Sequence, residues 1–430
     1  MLENFFKLKE NGTDIKTEVI AGLTIFMTMA YILAVNPGIM GATGMDKGAV
    51  FTATALSAFV GTLVMALLGR LPFALAPGMG LNAFFAFTVV LGMGYSWEMA
   101  LTAVFIEGII FIVLTFFNVR EAIINAIPIA IKNAISVGIG LFIALIGLKG
   151  AGVIVKSDAT LVTLGNMANH SVWVAFVGII VSGTLLALNK KGALLAGIFA
   201  STLVGIPLGV THVENLSIFS APPSLEPILF KFDFSKLFTT DMAVVLFTFL
   251  FIDMFDTVGT LVGVGAKAGL LDERGRLPRA KQALFADAIG TTFGACVGTS
   301  TVTTFVESAS GVAEGGRTGL TALTTAGLFL LAIFFSPLFL MIPTAATAPA
   351  LVMVGFFMLS PIKNIDLEDA TEALPAFVTF LMMPLTYSIS EGIVFGMLSY
   401  VILKTLSGKA KEVSPAMYVI AAIFILKFVI

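Results

Sequence analysis

The sequence predicts an all-α polytopic membrane protein with 14 transmembrane segments in a 7+7 inverted repeat, segments 3 and 10 being short and broken. Three observations lead there. Hydrophobic residues make up 58% of the 430 and charged residues 12%, with a mean hydropathy of +1.04; a soluble domain of this length has no use for so much apolar surface. Apolar runs near the roughly 20 residues that a bilayer-spanning helix needs recur from Thr17 onward. The halves also align with each other. TIFMTMAYILAVNPGIMG from Thr24 and FLFIDMFDTVGTLVGVGA from Phe249 match at one shift, which sets Phe26 against Phe251 and Gly38 against Gly263. ALSAFVGTLVMALLG from Ala55 and ALFADAIGTTFGACVG from Ala283 match with one gap. The first shift also sets Asn82 against Glu307.

In chain order the segments lie near 18–36, 48–69, 73–91, 97–117, 121–148, 172–188, 192–210, 241–266, 281–297, 300–313, 319–337, 341–359, 372–387 and 390–407. A last apolar stretch, 415–430, can span, lie in the interface or pack on a partner. Seven segments precede the polar connector 211–240 and seven follow it, and an odd number per half inverts the second half in the membrane. The polar start, 1–17, has no signal-peptide core, so the first segment acts as its own insertion signal. With that start in the cytoplasm, Lys7, Lys9, Lys16, Arg70, Arg120, Lys132, Lys190, Lys191, Lys267, Arg274, Arg276, Arg279, Lys281, Arg317, Lys363, Lys404, Lys409 and Lys411 fall inside. Only Lys47, Lys149, Lys156, Lys231 and Lys236 fall outside, the asymmetry of the positive-inside rule. The expected location is the cell membrane, with the N-terminus and the end of segment 14 cytoplasmic.

Segments 3 and 10 are weak helices for physical reasons. LPFALAPGMG (71–80) carries two prolines and two glycines before LNAFFAFTVV, and proline breaks the helical ladder. GTSTVTT (298–304) is rich in β-branched residues that favour extended backbone. Each reads as an extended piece followed by a half-helix. Irregular backbone at membrane depth survives only inside protein or along a cavity, so two such pieces at matching places in inverted halves point to a midplane site. Free N–H groups of the half-helices would face it. A kink serving packing alone is the plainer reading of either piece taken singly.

Charges inside such segments cost at least about 2.5–3.5 kcal/mol each. Asp253 and Asp256, three apart, share a face of segment 8, with Thr257 and Thr260 one turn onward. Glu307 completes an acidic cluster with no lysine or arginine in either segment. Low dielectric and like-charged neighbours favour the neutral form of a carboxylic acid, and a group that gains and loses a proton near neutral pH is what a proton-coupled carrier needs. The bland alternative is an inert, packed carboxyl; it is the better reading for Glu107, and Asp287 reads as a brace between helices or a proton group. Both histidines, His170 and His212, fall in outside loops. The single cysteine, Cys296, excludes an intrachain disulfide. No phosphate-binding GxxxxGK[ST] loop, His/Cys metal cluster or nucleophile–base pair is visible, so neither an ATP-driven pump, a metal cofactor nor an enzyme is expected.

On TEVIAGLTIFMTMAYILAVNP (17–37), ALAPGMGLNAFFAF (74–87), FIDMFDTVGTLVGV (251–264), LPRAKQALFADAIGT (277–291) and GTSTVTTFVESASGVAEGGRTGLTA (298–322), the chain resembles the nucleobase/ascorbate transporter superfamily, in its hypoxanthine–adenine–guanine permease branch. The resemblance covers essentially the whole chain. It implies a core domain (18–118 and 241–337) and a gate domain (119–210 and 338–408), a C-terminal tail (409–430), proton-coupled purine uptake and a homodimer. By position it carries essential polar roles onto Asn82, Asp253, Asp256 and Glu307. The uracil-permease branch has a Glu and, four residues later, a His in segment 8; Asp256 and Thr260 stand there in this chain, which removes a His-assisted proton path.

Chemistry agrees. Guanine and hypoxanthine present N1–H, and guanine an amino group, to a carboxylate; adenine needs a donor beside an acceptor, which Asn82 offers. Thr304, in the break of segment 10, and Thr260 on segment 8 are further substrate-binding candidates. Phe84, Phe255 and Phe305 are stacking candidates, though any one phenylalanine is more often packing. The expectation is a symporter in which Glu307 and Asp256 hold the edge of the base, directly or through water, with Glu307 the better candidate for the grip and Asp253 or Asp256 for the proton. An anion carrier of related fold, for sulfate or bicarbonate, and a channel are the alternatives. The sequence does not rank the purines.

Overall fold

The computed structural model describes residues 2–117, 128–157, 159–213, 217–271 and 277–429. The start of the segment expected at 121–148 therefore lies outside the described residues, as do Arg120, Arg274 and Arg276. After a short α1 (Leu2–Phe6) come α2 (Ile15–Met29), α3 (Ile32–Gly41) and α4 (Lys47–Val64). Strand β1 (Leu75–Pro77) leads into α5 (Met79–Ala83), which continues as a π-helical stretch, Phe84–Val90, and then α6 (Trp97–Phe117). Helix α7 (Ile129–Gly150), the hairpin β2–β3 (Ile154–Ser157, Leu161–Leu164), α8 (His170–Ala187) and α9 (Ala193–Gly205) close the first half. The second half holds α10 (Thr240–Lys267), α11 (Ala280–Val297), β4 (Val302–Thr304), α12 (Ser308–Ala313) and α13 (Gly319–Ala332). It ends with α14 (Ser336–Leu340), α15 (Thr344–Phe357), α16 (Ala370–Thr386), α17 (Ile389–Leu406) and α18 (Pro415–Val429). Among the described residues nine helical spans are long and apolar enough to cross a membrane, and three shorter apolar helices, Met79–Val90, Ala193–Gly205 and Ala370–Thr386, accompany them.

The first expected segment is not one helix. It breaks at Ala30–Tyr31, where Leu33 N–H bonds to Ala30 O at 3.1 Å, a bond of the tighter 3₁₀ type. The break sets Tyr31 at the end of α2, buried.

The helices pack as two groups. Helices α2 to α6 and α10 to α13 pack on one another; α7 to α9 and α15 to α17 pack on one another. The groups meet along a seam where α3 touches α15, α2 touches α9, α5 touches α7 and α10 touches α17.

In the first group α4 crosses α11 at two glycines. A Cβ built on Gly290 would lie 3.3 Å from the Gly61 Cα and 2.9 Å from Val302 Cγ1, so the crossing requires glycine. The next residue in each helix does the same job. Thr62 Oγ1 accepts from Leu75 N–H (2.9 Å) and donates to Leu75 O (3.0 Å). Thr291 Oγ1 accepts from Val302 N–H (3.2 Å) and donates to Val302 O (3.0 Å). The pair of threonines thus seats two extended strands in equivalent ways.

Glu18 is a buried carboxylate that hydropathy reading passes over, because it lies at the polar edge of the first apolar run. One oxygen accepts from Arg317 N–H (2.9 Å); the other accepts from Thr321 N–H (3.0 Å) and from the Thr318 and Thr321 hydroxyls (2.8 and 2.6 Å). These donors surround the start of α13, where backbone N–H groups have no partner within the helix. Glutamine at 18 offers one accepting oxygen and strands at least one buried donor, at a cost of about 1–3 kcal/mol. Glu18→Gln therefore lowers the melting temperature of the detergent-solubilised protein; an unchanged melt would contradict this role.

Candidate functional site

The site grows from the strand pair. β1 and β4 run antiparallel in the register Leu75↔Thr304, Ala76↔Thr303, Pro77↔Val302. Gly78 N–H to Thr301 O (2.9 Å) and Phe305 N–H to Ala74 O (3.0 Å) extend the ladder at both ends. Backbone away from water must find internal partners, and these two stretches find them in each other and in Thr62 and Thr291. Beyond each strand the chain turns into helix, α5 carrying Asn82 and α12 following Glu307.

Asn82 is fully buried; its Oδ1 accepts from the Ser300 hydroxyl across the strand pair, while its Nδ2 lies 3.5 Å from Pro77 O. Glu307 is half-buried, and Tyr31 Oη donates to its Oε1 at 2.7 Å. Tyr31 was not legible as a site residue, since one tyrosine in an apolar run reads as packing; the small neighbour Ala30 and the helix break were the available signals. The strand seating also adjusts the symmetry. The offset that carries Leu75 to Val302 carries Gly80, not Asn82, to Glu307.

Segment 8 is α10. Asp253 is fully buried, and the Thr257 hydroxyl lies 3.0 Å from Asp253 Oδ1, 2.8 Å from Asp287 Oδ1 on α11 and 2.7 Å from Thr303 Oγ1 on β4. One hydroxyl thus ties three elements together. Asp256, one turn on, is half-buried and shares electrostatic surroundings with Asp287, Glu307 and the Tyr31 hydroxyl. Glu107 on α6 accepts from Thr301 Oγ1 at 2.7 Å, bracing the stretch before β4. Thr260 is half-buried on α10.

Three sequence candidates look different in place. Alternation along β4 puts Thr304 on the face of Val302, which packs at the Gly61–Gly290 crossing, and opposite Thr303, so Thr304 turns away from Asp253. Phe84 is fully buried and packs edge-to-face on Phe249 at 4.8 Å, so its ring is spent on helix packing. Phe305 is buried beside Glu307; the Phe255 side chain lies outside the described residues. Among the described residues no group of His, Cys, Asp and Glu is arranged to hold a metal ion.

A cavity of about 510 Å³ lies along the seam at the end where α3 and α7 finish and α15 begins. None of the acids lines it; Phe87, on the helix that carries Asn82, does. Carboxyl and hydroxyl groups from α2, α10, α11 and β4 are thus gathered about the paired strands, able both to accept and to donate hydrogen bonds.

Comparison with known proteins identifies the family. A family model described as a permease family matches residues 16–395. The adenine permease AdeP of Escherichia coli is 48% identical over 429 residues, covering 100% of this chain and 96% of that protein. The guanine/hypoxanthine permease PbuG of Bacillus subtilis is 46% identical over 439 residues, covering 100% of this chain and 99% of that protein. Among solved structures, the transmembrane domain of the cyanobacterial bicarbonate transporter BicA matches with a TM-score of 0.65 at 17% identity, over 88% of this chain and 96% of that one. At that identity the likeness is one of fold.

Proposed function

The chain belongs to that permease family, the nucleobase/ascorbate transporters, and on that premise we propose that it is a secondary active transporter taking up purine bases together with protons by alternating access. It is a transporter and not an enzyme. The observation that carries the substrate class is Glu307, oriented by Tyr31 at the end of the paired strands and sharing its electrostatic surroundings with Asp256. A carboxylate there accepts from N1–H of an oxopurine, and Asn82 donates to a ring or exocyclic acceptor. The curated relatives divide between adenine and guanine/hypoxanthine at similar identity, so the site's chemistry, not their names, ranks the bases: a carboxylate acceptor favours oxopurines.

Hydrogen-bond stoichiometry supports the proton. Thr257 has one proton to give and faces Asp253, Asp287 and Thr303. If all three contacts are hydrogen bonds, at least one of the two acids donates, and so carries a proton. The Asp253–Asp287 pair is therefore our proton carrier, with Asp256 between it and the base; this moves the role from the Asp253/Asp256 face to a pair spanning α10 and α11.

The two packed groups support a core domain (18–118 and 241–337) moving against a gate domain (119–210 and 338–408), and the matching threonine seats support a 7+7 inverted repeat of 14 segments. A homodimer built by the gate domains, with a cytoplasmic N-terminus in the cell membrane, completes the proposal. An anion carrier of the same fold is the alternative, but an acidic cluster repels an anion. A channel predicts no saturable uptake.

Tyr31→Phe tests the grip. Losing a hydrogen bond to a charged group costs roughly 1.5–3 kcal/mol, so the KM for hypoxanthine rises about ten- to a hundredfold with the amount of protein in the membrane unchanged. An unaltered KM would remove Tyr31 from the site.

A further inference from the structure

We propose that the cavity on the seam is an antechamber that binds the purine base before it reaches the acids, with the Tyr387 ring as its stacking face and the Lys149 ammonium as its hydrogen-bond donor. This rests on the purine-transport reading above. The cavity, about 510 Å³, falls in the roughly 300–1,000 Å³ range of small-molecule sites, and like them it is mostly apolar with a few polar groups. Its walls come from both packed groups: Ile39 and Phe87 from one, Lys149, Thr347, Leu351 and Tyr387 from the other. Phe87 and Asn82 share one helix little more than a turn apart, so the cavity lies roughly 6–8 Å along the seam from the amide of the site.

Tyr387 is the unusual residue. It joins α16 to α17 with φ 56, in the left-handed region that a bulky residue rarely occupies. Such backbone concentrates at ligand clamps, where surrounding contacts hold it. Here the ring packs against Phe142 (centroids 5.2 Å) and Phe87 (6.2 Å), both near perpendicular to it. Lys149 Nζ lies 4.5 Å from the ring centroid, on its face. A flat base taking that face displaces the ammonium from over the ring, and the flexible lysine stem lets it meet the base at its acceptor edge. Guanine and hypoxanthine offer O6 and N7 there, the pair a lysine reads; adenine offers N7 beside an amino donor that repels it. Stacking is blind to the base, because every base has a π face. The antechamber therefore favours oxopurines through Lys149 and holds any purine through Tyr387.

The test uses the full-length protein in proteoliposomes, with initial rates measured for radiolabelled hypoxanthine and adenine over a range of concentrations. Lys149→Met raises the hypoxanthine KM about three- to tenfold and leaves the adenine KM within about twofold. Tyr387→Leu raises both KM values together, and this second variant keeps the proposal open to failure where the first does not assemble. Unchanged KM values in both variants overturn the antechamber; equal rises for the two bases in Lys149→Met overturn the lysine's role as selective donor. If the unaltered protein moves no purine, the transport reading itself has failed, a result distinct from either.

Discussion

Uptake of guanine or hypoxanthine falls to background when Glu307 is replaced by glutamine, while the protein still reaches the membrane. The size of the effect follows from the chemistry. An ionised carboxylate accepts charge-assisted hydrogen bonds worth about 1.5–3 kcal/mol each, and an oxopurine can offer it one or two. Glutamine fills the same volume but lacks the charge and one of the two accepting oxygens, so roughly one to four orders of magnitude of affinity disappear. The half-buried position of Glu307 and its bond to Tyr31 make the loss local. Wild-type uptake by Glu307→Gln would end the assignment of the grip to this residue. Glu307→Asp, which keeps the charge and shortens the reach, retains partial uptake.

Accumulation of base against its gradient disappears in Asp253→Asn and in Asp287→Asn, while exchange of base for base across the membrane persists. Both acids touch one hydroxyl, Thr257, so removing either changes the proton count of the pair. Residues acting as one unit give non-additive losses, and the double variant therefore loses no more accumulation than either single one. Retained concentrative uptake in both single variants would move the proton elsewhere, to Asp256 or Glu307. Loss of exchange as well as accumulation would make the pair part of the base site rather than of the coupling.

Much of the site was legible because the membrane makes polar residues expensive. Asp253, Asp256 and Glu307 stood out from their apolar surroundings without any structure. The extended backbone at 75–77 and 302–304 was legible from Pro77 and Gly78 and from the β-branched run ending at Thr304. What sequence could not supply is which extended piece pairs with which, since the strands come from opposite halves and their register depends on Thr62 and Thr291. Tyr31 escaped because a hydroxyl at the end of an apolar ring carries no pattern. The joint bonding of Thr257 to two acids escaped because it joins α10 to α11, and spacing within one helix says nothing of the neighbour. The facing of Thr304 was not legible either: its type fits a polar site, while alternation along β4 sets it on the face opposite Thr303.

The most direct test of the central claim is hypoxanthine uptake by the purified protein in liposomes, with and without an imposed proton gradient, acid outside, and with internal pH followed by a dye. Symport predicts transient accumulation above the outside concentration, internal acidification in step with base entering, and collapse of both on adding a protonophore. Equilibration of the base at a rate indifferent to the gradient, with no proton movement, would contradict it.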